Sequence, residues 1–190
     1  MRGRYPESMG ARMFTAVLPP AELVRDLDAL LEPRREVDAR LRWSRPEAWH
    51  LTTSFMADVP PDAVEPLGEM LAEVAAKVPR FPLRVEGGVA FPNPSRAKVL
   101  ALGVSDGNGE LAELSAGARR AASRAGIEAD GTRFVGHLTL ARSRAGVQAG
   151  RWIGVFDSFP GWSWEAEELC LVDSKRLGKH YEVVARYPLG

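Results

Sequence analysis

Two of the three histidines in this 190-residue chain open the same tripeptide. His50-Leu51-Thr52 and His137-Leu138-Thr139 both read His-Leu-Thr. Each lies in a stretch that alternates from residue to residue, the mark of a half-buried strand. On a strand, a His and a Thr two places apart share one face while the Leu between them packs behind. With only five threonines in the chain, chance puts Thr two residues after at least two of the three histidines about once in 500 sequences.

The pair fits one kind of chemistry. In-line cleavage of a phosphodiester needs a proton taken from the attacking oxygen and another delivered to the leaving oxygen. These oxygens lie on opposite sides of phosphorus, so two imidazoles on facing walls of a cleft can serve both. A free imidazole titrates near 6.5, which allows one neutral and one charged ring near pH 7. Thr52 and Thr139, on the same strand faces, can donate hydrogen bonds to the non-bridging oxygens, where charge grows in the transition state. A five-membered 2′,3′-cyclic phosphate is strained and carries its own leaving group, so a metal is less necessary and no cofactor is expected.

Helices and strands must place these groups. The pattern predicts a strand over 12–18, halted by Pro19-Pro20, and a helix from Leu23 to about residue 39. A strand follows over 49–56, with Trp49, Leu51, Thr53 and Phe55 on the packed face and His50, Thr52, Ser54 and Met56 in front. Next come a helix over 64–78, a strand through Phe81, Leu83 and Val85, and turns at Gly87-Gly88 and 91–94. The second half repeats the rhythm. A strand over 98–104 leads through 105–109 into a helix ending before Gly126, a suitable C′ residue. In the strand over 136–142, His137, Thr139 and Ala141 face one way and Leu138, Leu140 and Arg142 the other. Strands over 165–173 and 181–187 close the chain, with SKRLGK between them as a loop. This order predicts an α+β fold in which helices cover the outside of two antiparallel sheets.

Composition narrows the function classes. Apolar residues make up 45% of the chain and formal net charge is zero, against the basic excess of a protein that coats long nucleic acid. Neutrality points to a small substrate or to a polynucleotide end held locally. One cysteine allows no internal disulfide, which fits a reducing cytoplasm. No long apolar run predicts a membrane span, and residues 1–10 read as a loose polar extension. Three histidines and one cysteine give a zinc site little to build on.

Other residues have weaker claims. Arg142 can pair with a phosphate or cap a strand end, and Arg144 and Arg151 are lesser candidates. Phe14 and Phe91 can stack on a terminal base, with core packing as the alternative. His180 has no Thr two places on. Cys170, Trp162 and Trp164 read as packing residues.

The two HxT motifs, their spacing and the segments around them resemble the two-histidine (2H) phosphoesterases. The resemblance is strongest to the bacterial RNA 2′,3′-cyclic phosphodiesterases, formerly called 2′-5′ RNA ligases. MFTAVLPP, LRWSRPEAWHLTTSFM, GGVAFPNPSRAKVLALGV, FVGHLTLAR and LVDSKRLGKHYEVVARYPL carry it across nearly the whole chain. It implies a single bilobal domain over 1–190, with two pseudo-symmetric lobes of antiparallel sheet and a cleft between them. It also implies His50 as proton donor, His137 as acceptor activating water, and a 2′-phosphomonoester product. Tyr181, on the final hairpin, then borders the cleft and joins Arg142, Phe14 and Phe91 as a substrate-binding candidate. The expected partners are RNA 2′,3′-cyclic phosphate ends or cyclic nucleotides, met by a monomer. Reversible 2′-5′ ligation and non-catalytic binding of an RNA end are the alternatives. Three positions depart from the family pattern. Thr53 replaces an apolar residue, at an expected cost in stability. Ala57 replaces Gly. Gly136 replaces Pro, which is expected to loosen the approach of His137.

Overall fold

The computed structural model describes residues 10–175 and 180–190. The extension expected over 1–10 lies outside these apart from Gly10, as do residues 176–179 of the SKRLGK segment. The strands are β1 (Ala11–Val17), β2 (Arg42–Trp43), β3 (Leu51–Val59), β4 (Phe81–Phe91), β5 (Ala97–Asp106), β6 (His137–Val147), β7 (Trp162–Ala166), β8 (Glu168–Lys175) and β9 (His180–Pro188). The helices are α1 (Ala21–Leu31), α2 (Val64–Lys77), α3 (Asn108–Arg124) and α4 (Gly150–Asp157).

All strand pairings are antiparallel and form two sheets, β3-β1-β8-β9 and β2-β6-β5-β4-β7. The α+β arrangement is the expected one, but the sheets are not the two halves of the chain. β2, from the first half, pairs with β6, and β8 returns to lie beside β1 with β9 on its outer side. Helix α3, which joins β5 to β6 of the five-stranded sheet, packs instead on α2 and β3. The histidine strands stand in different sheets, with β3 at an edge and β6 between β2 and β5.

Burial follows the periodicities. Leu23, Leu27 and Leu31 of α1 and Leu67, Leu71 and Ala75 of α2 form buried stripes. With residues of α3 and both sheets they make one core cluster. A second, small cluster of Phe14, Ala16, Cys170 and Val172, with Phe55 and Tyr181 against it, lies on the other face of β1 from Met13 and Val17. Alternation along β1 thus feeds two apolar layers.

Four expectations need correction. Helix α1 ends at Leu31 rather than near residue 39, because Pro33 has no N–H to donate to the carbonyl of Ala29. Gly87-Gly88 is not a turn. β4 runs through it with a register shift, Gly87 taking φ +71°, a β-bulge that glycine makes possible. The strand expected over 165–173 is two: Glu165 and Ala166 end β7, and β8 begins at Glu168 in the other sheet. Helix α4 was not anticipated, since its eight residues include Gly150 and Gly154 and the helical signal is short.

At Gly88, α4 meets the sheet. A Cβ there would stand 2.7 Å from the Ile153 Cα, and the Gly88 N–H donates to Asp157 Oδ1 at 2.7 Å. Gly88→Ala is therefore expected to lower unfolding free energy by about 1–3 kcal/mol through overpacking, measured by urea denaturation. Gly109→Ala on α3, where no atom lies within 4 Å of an added Cβ, should leave stability unchanged or raise it.

Candidate active site

Each histidine strand carries a one-residue bulge shortly after its histidine. Between β1 and β3, Thr15 pairs with Ser54 and Ala16 with Thr52, which leaves Thr53 as the bulge. Between β5 and β6, Leu100 pairs with Ala141 and Ala101 with Thr139, which leaves Leu140. Both bulges fall three residues after the histidine, and each reverses the alternation beyond it.

The expected faces change accordingly. His50 and Thr52 are half-buried in front as predicted, but Ser54 and Met56 are buried, and Phe55 turns to the Phe14 side. Beyond Thr139, Ala141 is buried and Arg142 is exposed. Arg142 thus shares the face of His137 and Thr139, not that of Leu138. Thr53 is buried, as expected of the packed face, and its hydroxyl shares a 2.7 Å hydrogen bond with that of Thr15. That bond offsets the cost expected of a polar residue there. Gly136 does not loosen the approach to His137. It is buried, and a Cβ on it would meet Asn108 Oδ1 at 2.5 Å, so backbone and the start of α3 are in direct contact.

The two imidazoles are held in the same way. His50 Nδ1–H donates to the Ala48 carbonyl at 2.7 Å, and His137 Nδ1–H donates to the Val135 carbonyl at 2.7 Å. A carbonyl can only accept, so the proton resides on Nδ1 in each neutral ring and Nε2 is left to exchange protons. Each ring also rests on a phenylalanine. Phe14 stacks on His50 with centroids 4.5 Å apart, and Phe91 lies 4.9 Å from His137. Tyr181 meets Phe14 edge-on at 5.2 Å and His50 at 5.4 Å. Phe14 and Phe91 are thus ring supports for the histidines.

Burial against these rings disfavours the charged imidazole. His50 is pushed down to about 4, chiefly by desolvation, with the positive charges of Arg142 and His137 adding to it and the Ala48 hydrogen bond opposing. His137 is lowered by desolvation and by Arg142, opposed by the Val135 bond. The shared influence of Arg142, and of His137 on His50, marks one site built from both sheets.

A cleft of about 1530 Å³ opens there. Of the predicted site residues, His50, Thr139, Arg142 and Tyr181 line it. Thr52 and His137 do not; they stand half-buried on β3 and β6, opposite Ala16 and Gly103. Arg144 lines the cleft and Arg151 does not; His180, set aside above, does. Sequence reasoning passed over Arg42, Lys98 and Ser143, which also line it; the pairing of β2 and β5 with β6 is not legible in local periodicity. A pocket of about 180 Å³ between α2 and α3 lies away from both histidines. Among the described residues, no three His, Cys, Asp or Glu side chains gather as a metal site would require, and no helix is long and apolar enough to cross a membrane.

Comparison with known proteins gives this arrangement its relatives. The family described as LigT like phosphoesterase matches residues 17–101. A protein of Archaeoglobus fulgidus named RNA 2′,3′-cyclic phosphodiesterase is 33% identical over 131 residues, 69% of this chain and 72% of that one. The chain belongs to the LigT-like phosphoesterases. A second member of the same name, from Aeropyrum pernix, is 33% identical over 96 residues, 50% of this chain. The match spans about half of that relative's length, 53%. Among solved structures, apo LigT of E. coli superposes with a TM-score of 0.75 at 23% identity, covering 96% of this chain and 99% of that one. The two-sheet architecture is thus the LigT-like phosphoesterase fold.

Two predictions follow from the packing in this LigT-like site. Thr15→Val leaves the buried Thr53 hydroxyl without its partner and should destabilise by about 1–3 kcal/mol, while Thr15→Val/Thr53→Val should recover part of the loss. Urea unfolding reads both. The second concerns pH. A histidine whose folded pKa is depressed binds fewer protons folded than unfolded. Its contribution is therefore fully present above about 6.5 and is lost as pH falls toward 4. The stability advantage of wild type over His50→Gln should shrink across that window, whereas a constant difference would contradict the depression.

Proposed function

We propose that the chain hydrolyses 2′,3′-cyclic phosphates at RNA ends or on nucleosides, by metal-independent proton transfer between His50, His137 and the substrate. The observation that carries this reading is the duplicated setting of the two rings. Each has Nδ1–H tied to a carbonyl two residues back, a Thr two residues on, and Nε2 unengaged by the backbone. The relatives named RNA 2′,3′-cyclic phosphodiesterase support the substrate, as does a complex of E. coli LigT with 3′-AMP. The unit is taken as one bilobal, monomeric domain acting in the cytoplasm.

In this mechanism a water oxygen attacks phosphorus and His137 Nε2 takes its proton. The P–O3′ bond breaks, and His50 Nε2–H delivers a proton to O3′, leaving a 2′-phosphomonoester and a 3′-hydroxyl. Thr52 and Thr139 donate to the non-bridging oxygens, and Arg142 offsets their charge. The donor role of His50 follows the family resemblance. The free cleft opposes it, since His50 is there the more strongly depressed ring, so the phosphate anion must favour the imidazolium when it binds.

Hydrolysis of 2′,3′-cyclic AMP in excess EDTA tests the reading. Activity should persist in chelator. It should fall by about 10²–10⁴ in His50→Ala and in His137→Ala, and by about 10² in Thr139→Val. Loss of all activity in EDTA, or full activity in either histidine variant, contradicts it. Histidine NMR separates the roles. On binding 2′-AMP the His50 titration should move up toward its ordinary 6.5 or beyond, whereas a ring that stays neutral in the complex would make His137 the acid.

A further inference from the structure

We infer that Arg42 and Arg144 form a ledge for the phosphodiester backbone on the 5′ side of the reacting nucleotide, so that the site selects polynucleotide ends over mononucleotides. This rests on the proposed function for one point, the seating of the cyclic phosphate between the histidines.

The ledge is a row of cations that the fold leaves facing one another. Arg42 on β2 is the direct cross-strand partner of Arg142 on β6. Like charges placed opposite each other destabilise an antiparallel pair, and the formal net charge of the chain is zero, so carboxylates were available to relieve them. Yet among the described residues neither Arg42, Arg142 nor Arg144 joins an ion pair. The one acidic side chain lining this cleft, Glu47, pairs with Arg45 at 3.7 Å.

The row is also held in place. Trp43, next to Arg42, donates its indole N–H to the Arg35 carbonyl at 3.1 Å and meets the Trp152 ring at 5.2 Å. The Ser44 N–H donates to the carbonyl of the bulge residue Leu140 at 2.8 Å. Ser143, between Arg142 and Arg144, is only 5% exposed, so the two exposed arginines share one face of β6 and the serine packs on the other. Two guanidinium groups on one strand face, with a third across from them, are matched to phosphate oxygens, which accept from all of them.

Size agrees with charge. A cleft of about 1530 Å³ exceeds the roughly 300–1,000 Å³ usual for small-molecule sites. A 2′,3′-cyclic phosphate is by its chemistry the 3′ terminus, so every other phosphate of the strand lies to its 5′ side. Arg142 meets the reacting phosphate, and Arg42 across from it and Arg144 two places along β6 meet the next.

Fluorescence anisotropy with a labelled oligoribonucleotide ending in a 2′-phosphate, compared with competition by 2′-AMP, tests the ledge without turnover. Wild type should bind the oligomer at least about tenfold tighter than 2′-AMP, with affinity falling as salt rises. Arg42→Gln/Arg144→Gln should lose that advantage, keep its affinity for 2′-AMP, and flatten the log–log salt slope by about 1.4, near 0.7 per lost phosphate contact on a single strand. Arg42→Lys/Arg144→Lys should retain most of the oligomer affinity. Equal losses for both ligands, or no oligomer preference in wild type, would overturn the inference. Hydrolysis of 2′,3′-cyclic AMP, run in parallel, reports on the hydrolase reading separately. An enzyme that grips the oligomer through these arginines yet turns over no cyclic phosphate keeps the ledge and loses the hydrolase.

Discussion

A one-residue bulge three places after each histidine sets which side chains share the front of its strand. Along β6, His137 and Thr139 are half-buried and Arg142 and Arg144 are exposed, Thr139 and both arginines lining the cleft, while Leu138, Leu140, Ala141 and Ser143 are buried. Strict alternation cannot satisfy both sets, because the exposed positions change from odd to even. The bulge at Leu140 makes that change. The bulge at Thr53 does the same on β3, returning Met56 to the core and sending Phe55 to the Phe14 side. An unbulged strand would either bury a guanidinium or expose core residues.

The bulges also concentrate positive charge. In the described chain, most acidic partners are spent away from the histidines, as in Asp38 with Arg40, Glu86 with Arg84, and Glu168 with Arg186. The cleft keeps Arg42, Arg142 and Arg144 with the His50 imidazole, whose charged form burial disfavours. Zero net charge therefore conceals a local excess, and a bound phosphate relieves two costs at once: repulsion within the arginine row and the penalty on a charged imidazole.

Interleaving of the chain brings the two histidine strands face to face. β2 is only two residues long, yet it joins the segment before His50 to β6, where His137 resides. The 3₁₀ turn Pro46–Ala48 then supplies the carbonyl that fixes His50. Helix α3 leads into the His137 strand but packs on the His50 strand. Each motif is thus braced by elements belonging to the other sheet, which suits a reaction needing groups on both sides of one phosphorus atom.

Much was legible in the residues alone. The His-Leu-Thr pair, the buried leucines behind it, the helical stripes of Leu23, Leu67 and Leu111, and Gly126 as a helix-ending residue at φ +75° all follow from local periodicity and backbone preference. So did the α+β order, because each element carries its own apolar pattern. The facing of Arg142, the part played by Arg42, the Thr15–Thr53 bond and the continuation of β4 through Gly87-Gly88 were not legible. Each depends on register with a strand distant in sequence, and register is decided by which pairing buries both partners' apolar faces. The sequence by itself determined which side chains could exchange protons. Tertiary structure decided which charges surround them, because a bulge exists only where two strands are paired.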